Sequence, residues 1–176
     1  MSFERTGGEK KYEGKIATVS VERYRYEDGD EVTREKVSHP GAVGVLAVDE
    51  RHVWLTRQPR EVVGDSASLE IPAGKLDVPD EKPLQTAKRE LAEEIGRQAE
   101  EWEEIMSFYT SPGFSDERVC LYRATGLSEA PETQAHELER IEILPWPLEN
   151  LDGAIAECED SKSLIALLWL ARRSGR

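Results

Sequence analysis

The chain reads as an α+β protein, an α/β/α sandwich in which a mixed sheet lies between helices. Three observations predict this. Alternating or apolar runs of strand length recur along the chain, among them Gly41-Ala-Val-Gly-Val-Leu-Ala-Val48. One amphipathic helix interrupts them around Glu90, and an apolar helix closes the chain. A length of 176 residues suits one well-cored domain and is short for two.

The elements follow in order. The first ten or so residues are polar and are expected to be loose. Residues 15–26 alternate as a strand does, with Ile16, Thr18 and Ser20 against Ala17, Val19 and Val21. Glu27-Asp-Gly-Asp-Glu31 reads as a hairpin turn, and residues 32–38 as the return strand. Residues 41–48 suit a buried strand; Asp49-Glu-Arg-His52 is a turn, and residues 53–57 pair back. Residues 68–72 form a short strand entering a glycine loop at Gly74. Residues 102–109, 118–124 and 141–144 are further strands, residues 148–157 a short helix. Residues 163–173 are a helix with Leu164, Ile165, Leu167, Leu168 and Leu170 apolar. No linker is long or biased enough to split the chain. The organisation expected is a set of N-terminal strands over 1–40 and a main domain over 41–176.

Composition narrows the function. The formal net charge of −13 argues against nucleic acid or an anionic membrane as partner. An anionic substrate would have to be drawn in by local Arg, Lys or metal rather than by the global field. No apolar run approaches membrane-spanning length and the N-terminus lacks a signal-peptide pattern, so the expected location is cytoplasmic. Two cysteines, Cys120 and Cys158, make neither a disulfide framework nor a zinc site. His39, His52 and His136 have no companions at ligand spacing and read as non-catalytic. The four tryptophans read as core or interface residues.

The chemistry concentrates in one segment. Gly74-Lys-Leu-Asp-Val-Pro-Asp-Glu81 is followed, after seven residues, by Arg89-Glu90-Leu91-Ala92-Glu93-Glu94-Ile95-Gly96. At roughly 100° per residue, Leu84, Ala87, Leu91 and Ile95 share an arc of about 80°, and Glu90, Glu93 and Glu94 an adjoining arc of about 100°. One face packs on a core while the next presents acid. Asp80 suits the N-cap, Pro83 the first turn and Gly96 the stop. Like charges at this spacing repel and weaken an isolated helix, so the cluster implies a cation against it. Carboxylate oxygens are hard ligands suited to Mg²⁺ and Mn²⁺, ions that commonly share their shell with substrate phosphates. The residues alone therefore point to a metal-dependent enzyme acting on a phosphate compound. Arg89, at i,i+4 from Glu93, is placed to hold that carboxylate.

This segment closely resembles the signature of the Nudix hydrolases: Gly, five residues, Glu, seven residues, then Arg-Glu-hydrophobic-x-Glu-Glu-x-Gly-hydrophobic. Two departures stand out. Six residues separate Gly74 from Glu81, and Arg97 fills the closing hydrophobic position. Ser38-His-Pro-Gly-Ala-Val43, Thr56-Arg-Gln-Pro-Arg60, Leu69-Glu-Ile-Pro-Ala-Gly-Lys-Leu-Asp77 and Thr110-Ser-Pro-Gly-Phe-Ser-Asp-Glu117 are similar to the ADP-ribose pyrophosphatase branch, as is Pro112, 16 residues after Gly96.

The resemblance implies Mg²⁺-dependent cleavage of ADP-ribose to AMP and ribose 5-phosphate, with Mn²⁺ as an alternative ion. It implies metal held by Glu90, Glu94 and the backbone carbonyl of Ala73, with Glu93 a further ligand or the partner of Arg89. The base comes from a loop after the signature, and counting points to Glu139, then Glu137, with Glu142 in the same segment. Arg57 and Arg60 are candidates for phosphate or adenine, because guanidinium offers bidentate donors and a stacking plane. Glu70, Pro112 and Gly113 are expected at the substrate by the same likeness. So is a homodimer whose N-terminal strands complete the pocket, with Tyr24 or Tyr26 near the adenine. Two other readings are a pyrophosphatase for another nucleotide sugar such as GDP-mannose, and a non-catalytic nucleotide sensor.

Overall fold

In the computed structural model, residues 2–131 and 140–175 are described. The chain forms two compact units, residues up to Gly41 with Phe108–Val119, and Ala42–Ser107 with the chain from Cys120 onward. The first contains an antiparallel sheet in the order β1 (Phe3–Glu13), β2 (Thr18–Tyr26), β3 (Glu31–Ser38). The β2–β3 hairpin turns where expected, with Tyr26 N–H donating to Asp30 O at 2.9 Å.

Residues 3–10 are not loose: β1 pairs with β2 from Phe3↔Tyr26 to Glu13↔Thr18. Hydrophobic alternation could not reveal this strand, because nearly all of it is solvent-exposed. Its register rests on backbone pairing and cross-strand charge, including the Arg5–Glu22 ion pair, and bulges near Gly7 and Lys10 disturb its period. On the other side of this sheet, Val37 N–H donates to Phe114 O at 2.7 Å and Lys36 pairs with Asp116 at 2.7 Å, fixing residues 112–116 against β3.

The second unit carries most of a seven-stranded sheet in the order β10-β5-β4-β9-β8, with β6 on β5 and β7 on β4. These strands are β4 (Ala42–Val48), β5 (His52–Arg60), β6 (Asp65–Glu70), β7 (Ala73–Lys75), β8 (Arg97–Tyr109), β9 (Arg118–Glu129) and β10 (Glu142–Pro147). The central strand β4 is buried from Val43 onward, as its unbroken apolar run requires. Its alternate residues Val43, Val45 and Ala47 pack with Ala87, Leu91 and Ile95 of helix α1 (Pro83–Ile95) and with Tyr122 and Ala124 of β9. Leu46 points to the opposite face by strand alternation, and helix α3 (Ser161–Arg173) contacts β4, with α2 (Leu151–Glu157) packed on α3. A mixed sheet between helices results, the α+β sandwich anticipated from the sequence.

This core positions the chemistry. Pairing of Gly44 with Ala73 and Val43 with Gly74 holds the glycine loop on β4, the strand against which α1 packs. Leu91 is fully buried at that contact, so Leu91→Ala should lose about 2–5 kcal/mol of stability in urea unfolding. A loss below about 1 kcal/mol would contradict a shared α1–β4 core.

Candidate active site

Helix α1 starts two residues later than its best sequence cap. Lys82, not Asp80, holds the N-cap position, with Pro83 following and Gln85 Oε1 accepting the Lys82 N–H at 3.0 Å. Asp80 adopts φ 62°, the left-handed region that Asp tolerates better than most residues. Glu81 N–H donates to Val78 O at 3.3 Å, closing a turn that leads Glu81 to the start of the helix. At the other end Gly96 has φ 64° and donates to Ala92 O at 3.1 Å.

Arg89 is the hub of the acidic face. Its Nη1 lies 2.8 Å from both Glu90 Oε1 and Glu93 Oε2, and its Nε and Nη2 each donate to Glu81 at 3.3 Å. Thr86 Oγ1 adds a 2.8 Å bond to Glu81. Burial alone would lower the Arg89 pKa, but Glu81, Glu90 and Glu93 outweigh it and raise it. Hydrogen bonds from Arg89 and Thr86 hold the Glu81 carboxyl below the usual carboxylate range.

The fourth carboxylate is tied to the loop: Ala73 N–H donates to Glu94 Oε2 at 3.0 Å. Glu90 lies against Gly74 so closely that a Cβ there would stand 2.0 Å from its carboxyl carbon and Oε1. Among the described residues no three His, Cys, Asp or Glu side chains already converge as metal ligands; the carboxylates are turned instead onto Arg89 and the Ala73 amide. The donor set nonetheless suits a hard divalent cation. It is all oxygen, mounted on one rigid helix face, and fitted to a loop cradle that a single methyl group would fill.

A second charged group adjoins it. Glu70, at the end of β6, has a side chain only 2% exposed. Arg60 grips it with two bonds, Nε to Oε1 at 2.6 Å and Nη2 to Oε2 at 2.7 Å. Lys162 of α3 donates to Oε2 at 2.6 Å and to Asp160 Oδ2 at 2.9 Å. Burial pushes the Glu70 carboxyl up, but its bonds to Arg60 and the charge of Lys162 prevail and bring it to about 2. Bonding to Glu70 raises the Arg60 pKa, and the charges of Asp160 and Glu94 add to it. Arg60 therefore lies within electrostatic reach of the acidic helix.

The structure thus gathers Ala73, Glu90, Glu93, Glu94 and Arg89, with Arg60 and Glu70 alongside. Arg57 is turned to an ion pair with Glu157 of α2; its Nε is buried without a hydrogen-bond partner among the described residues. Pro112 and Gly113 belong to the first unit, where with Phe3, Tyr24, Tyr26 and Lys36 they line a cavity of about 380 Å³. Glu137 and Glu139 lie outside the described residues. Glu142 is exposed on β10, opposite Arg57. Sequence reasoning missed Lys162. The available signal was a lysine in the first turn of a helix, where the macrodipole disfavours a cation unless a carboxylate meets it.

Two outcomes are expected. Gly74→Ala must displace the Glu90 carboxylate, so its Mg²⁺ affinity by calorimetry should fall by roughly tenfold or more with folding retained; unchanged affinity would refute the cradle. For Glu70, a pKa of about 2 against the ordinary 4.5 means a stabilisation complete above about pH 4.5 and lost as the pH falls through 2. At roughly 1.4 kcal/mol per pH unit this amounts to roughly 3 kcal/mol. Glu70→Gln should accordingly be less stable by about that amount at pH 7, the gap closing between pH 4.5 and 2. Parallel stability curves across that range would contradict the ion-pair assignment.

Residues 38–167 match the NUDIX domain. The chain is 41% identical over 145 residues to the ADP-ribose pyrophosphatase of Mycobacterium tuberculosis, covering 82% of this chain and 70% of that one. It is 39% identical over 166 residues to the ADP-ribose pyrophosphatase of Bacillus subtilis, and 37% identical over 166 residues to the methanol dehydrogenase activator of Bacillus methanolicus. Each of these two likenesses covers 92% of this chain and 89% of the other. The crystal structure of an ADP compounds hydrolase shares the fold, with a TM-score of 0.84 at 20% identity, over 100% of this chain and 97% of that one. The matched region contains the loop, the acidic helix and the sheet that holds them together, and the chain belongs to the Nudix hydrolase family.

Proposed function

We propose that the protein hydrolyses the diphosphate of ADP-ribose to AMP and ribose 5-phosphate, with Mg²⁺ as cofactor and Mn²⁺ as its alternative. The observation that carries this reading is the set of carboxylates around Arg89, seated on the Gly74 loop with Arg60 in electrostatic reach. The ADP-ribose pyrophosphatases among its relatives support the substrate. Bound by Glu90, Glu94 and the Ala73 carbonyl, and by Glu93 where it is not held by Arg89, the ion would neutralise diphosphate charge and acidify a bound water.

The chain's own residues have separate tasks. Arg89 holds Glu81, Glu90 and Glu93 in place through its three ion pairs. The Nη1 corner of Arg60, which Glu70 does not use, supplies a charged donor to a phosphate oxygen. Glu139, or Glu137 two residues before it, takes the proton from the attacking water. A new P–O bond forms as the bridging P–O bond breaks, and the departing phosphate carries the bridging oxygen away. Two copies are read as pairing through the N-terminal strands, with Tyr24 or Tyr26 beside adenine; support comes from the aromatic lining of the first unit's cavity and the exposure of Phe3 and Phe114. Among the described residues no helix is long and apolar enough to cross a membrane, and the reaction is assigned to the cytoplasm.

The test is a phosphatase-coupled assay over ADP-ribose, GDP-mannose, NADH and nucleoside triphosphates, with Mg²⁺ or EDTA. Turnover strongest on ADP-ribose, silenced by EDTA, is expected; stronger turnover of GDP-mannose would discard the substrate. Glu94→Gln should retain the fold and lose activity by orders of magnitude, and near-normal activity would sink the metal site. Glu139→Gln should lower kcat with substrate affinity largely kept; the same loss in Glu137→Gln instead would move the base by two residues.

A further inference from the structure

Lys162 belongs to no part of the site as read from the sequence, yet its placement is highly constrained. It sits in the first turn of α3, at the end where the helix macrodipole opposes a cation. Its side chain is only 13% exposed. Two carboxylates meet it there. Asp160, the N-cap, bonds Lys162 Nζ at 2.9 Å while accepting the Ser163 N–H at 3.0 Å. Glu70 Oε2 receives Lys162 Nζ at 2.6 Å and Arg60 Nη2 at 2.7 Å, so one oxygen is shared by the two cations. Ser163 Oγ in turn accepts the Ile71 N–H at 2.8 Å, clamping α3 to the residue after Glu70.

A single carboxylate gripping a long arginine has its own freedom to rotate. Here the rotation is fixed from behind: Lys162 sets the Glu70 plane, and that plane sets the Arg60 fork through two parallel bonds. Glu70 itself is too buried, and too fully engaged on both oxygens, to serve as a substrate contact. Its place in the reaction is through Arg60, whose fork uses Nε and Nη2 on Glu70 and turns Nη1 away from it. Glu94 of the acidic helix adds its charge to those that raise the Arg60 pKa, so the two groups share one electrostatic field.

We infer that Lys162 is a positioning residue: acting through Glu70, it fixes the orientation of the Arg60 guanidinium toward the diphosphate. The inference rests on the ADP-ribose reading only for the identity of the substrate; the fixing of Arg60 is independent of it. Lys162 and Glu70 touch no substrate atom, and Arg60 alone of the three is a contact.

The experiment compares wild type, Lys162→Gln and Lys162→Arg by two readouts. The first is the ¹⁵N relaxation of the Arg60 Nε–Hε group, assigned by its loss in Arg60→Lys. It should be as ordered as the backbone in wild type, mobile in Lys162→Gln and ordered again in Lys162→Arg. The second is steady-state hydrolysis of ADP-ribose. KM should rise roughly tenfold in Lys162→Gln with kcat within about threefold, and Lys162→Arg should restore it. Mg²⁺ affinity by calorimetry should not change. A merely structural lysine would lower the melting temperature and leave KM and the Arg60 signal as they were, which would overturn the inference. Should Lys162→Gln fail to fold, Lys162→Met, which keeps the length of the side chain and removes its charge, is used in its place with the same two expectations. If wild type does not turn over ADP-ribose, the substrate reading has failed, and the relaxation data alone decide whether Lys162 orders Arg60.

Discussion

Like charge crowded on one helix face is the constraint around which this protein is built. Glu90, Glu93 and Glu94 lie within four residues of one another, about one helical turn, with Glu81 folded back beside them. Such a face destabilises an isolated helix, and here Arg89 offsets it by touching three of the four carboxylates. Arginine suits the task because its planar fork presents several donors at once and remains charged when partly buried. The fourth carboxylate, Glu94, is met by a backbone amide of the Gly74 loop. The loop can lie that close only because residue 74 has no Cβ, and it is held there by pairing with β4. Core packing, loop geometry and charge balance therefore stand or fall together at the α1–β4 contact.

A second balance of charge lies at the junction of β5, β6 and α3. Buried ion pairs are not automatically stabilising, since desolvation opposes their attraction. The Glu70 group is favourable because both oxygens are satisfied and two cations face a single carboxylate. Removing one member would leave a buried charge without its partner, the expensive case. The two clusters meet at Arg60, which is bound to one and within the field of the other. Arg60 thus joins the Glu70–Lys162 pair, anchored on α3, to the field of Glu94 on α1.

Much of this was legible in the sequence. The unbroken apolar run of β4, the apolar stripe of α1 and the spacing of its glutamates follow directly from the periods of strand and helix. The link from Arg89 to Glu93 was visible as an i,i+4 pair; those from Arg89 to Glu81 and from Glu94 to the Ala73 amide were not, because they depend on how the Gly74 loop returns to the helix. β1 was hidden for a different reason. Its pairing is backbone and charge, and hydrophobic alternation carries no trace of a strand that buries almost nothing. Asp80 is a good N-cap by residue type, yet it takes a left-handed φ of 62° and Lys82 holds the cap position. Glu70 and Lys162 are 92 residues apart and nothing local marks them as partners.

These carboxylates and their arginines make the chain a metal-dependent diphosphate hydrolase. ³¹P NMR of ADP-ribose mixed with the protein tests it most directly, because bond cleavage and product identity are read in one spectrum. With Mg²⁺ the diphosphate resonances should give way to the two phosphomonoester signals of AMP and ribose 5-phosphate, and EDTA should stop the conversion. Diphosphate signals that persist in Mg²⁺, or that vanish equally fast in EDTA, would rule out a metal-dependent hydrolase of ADP-ribose.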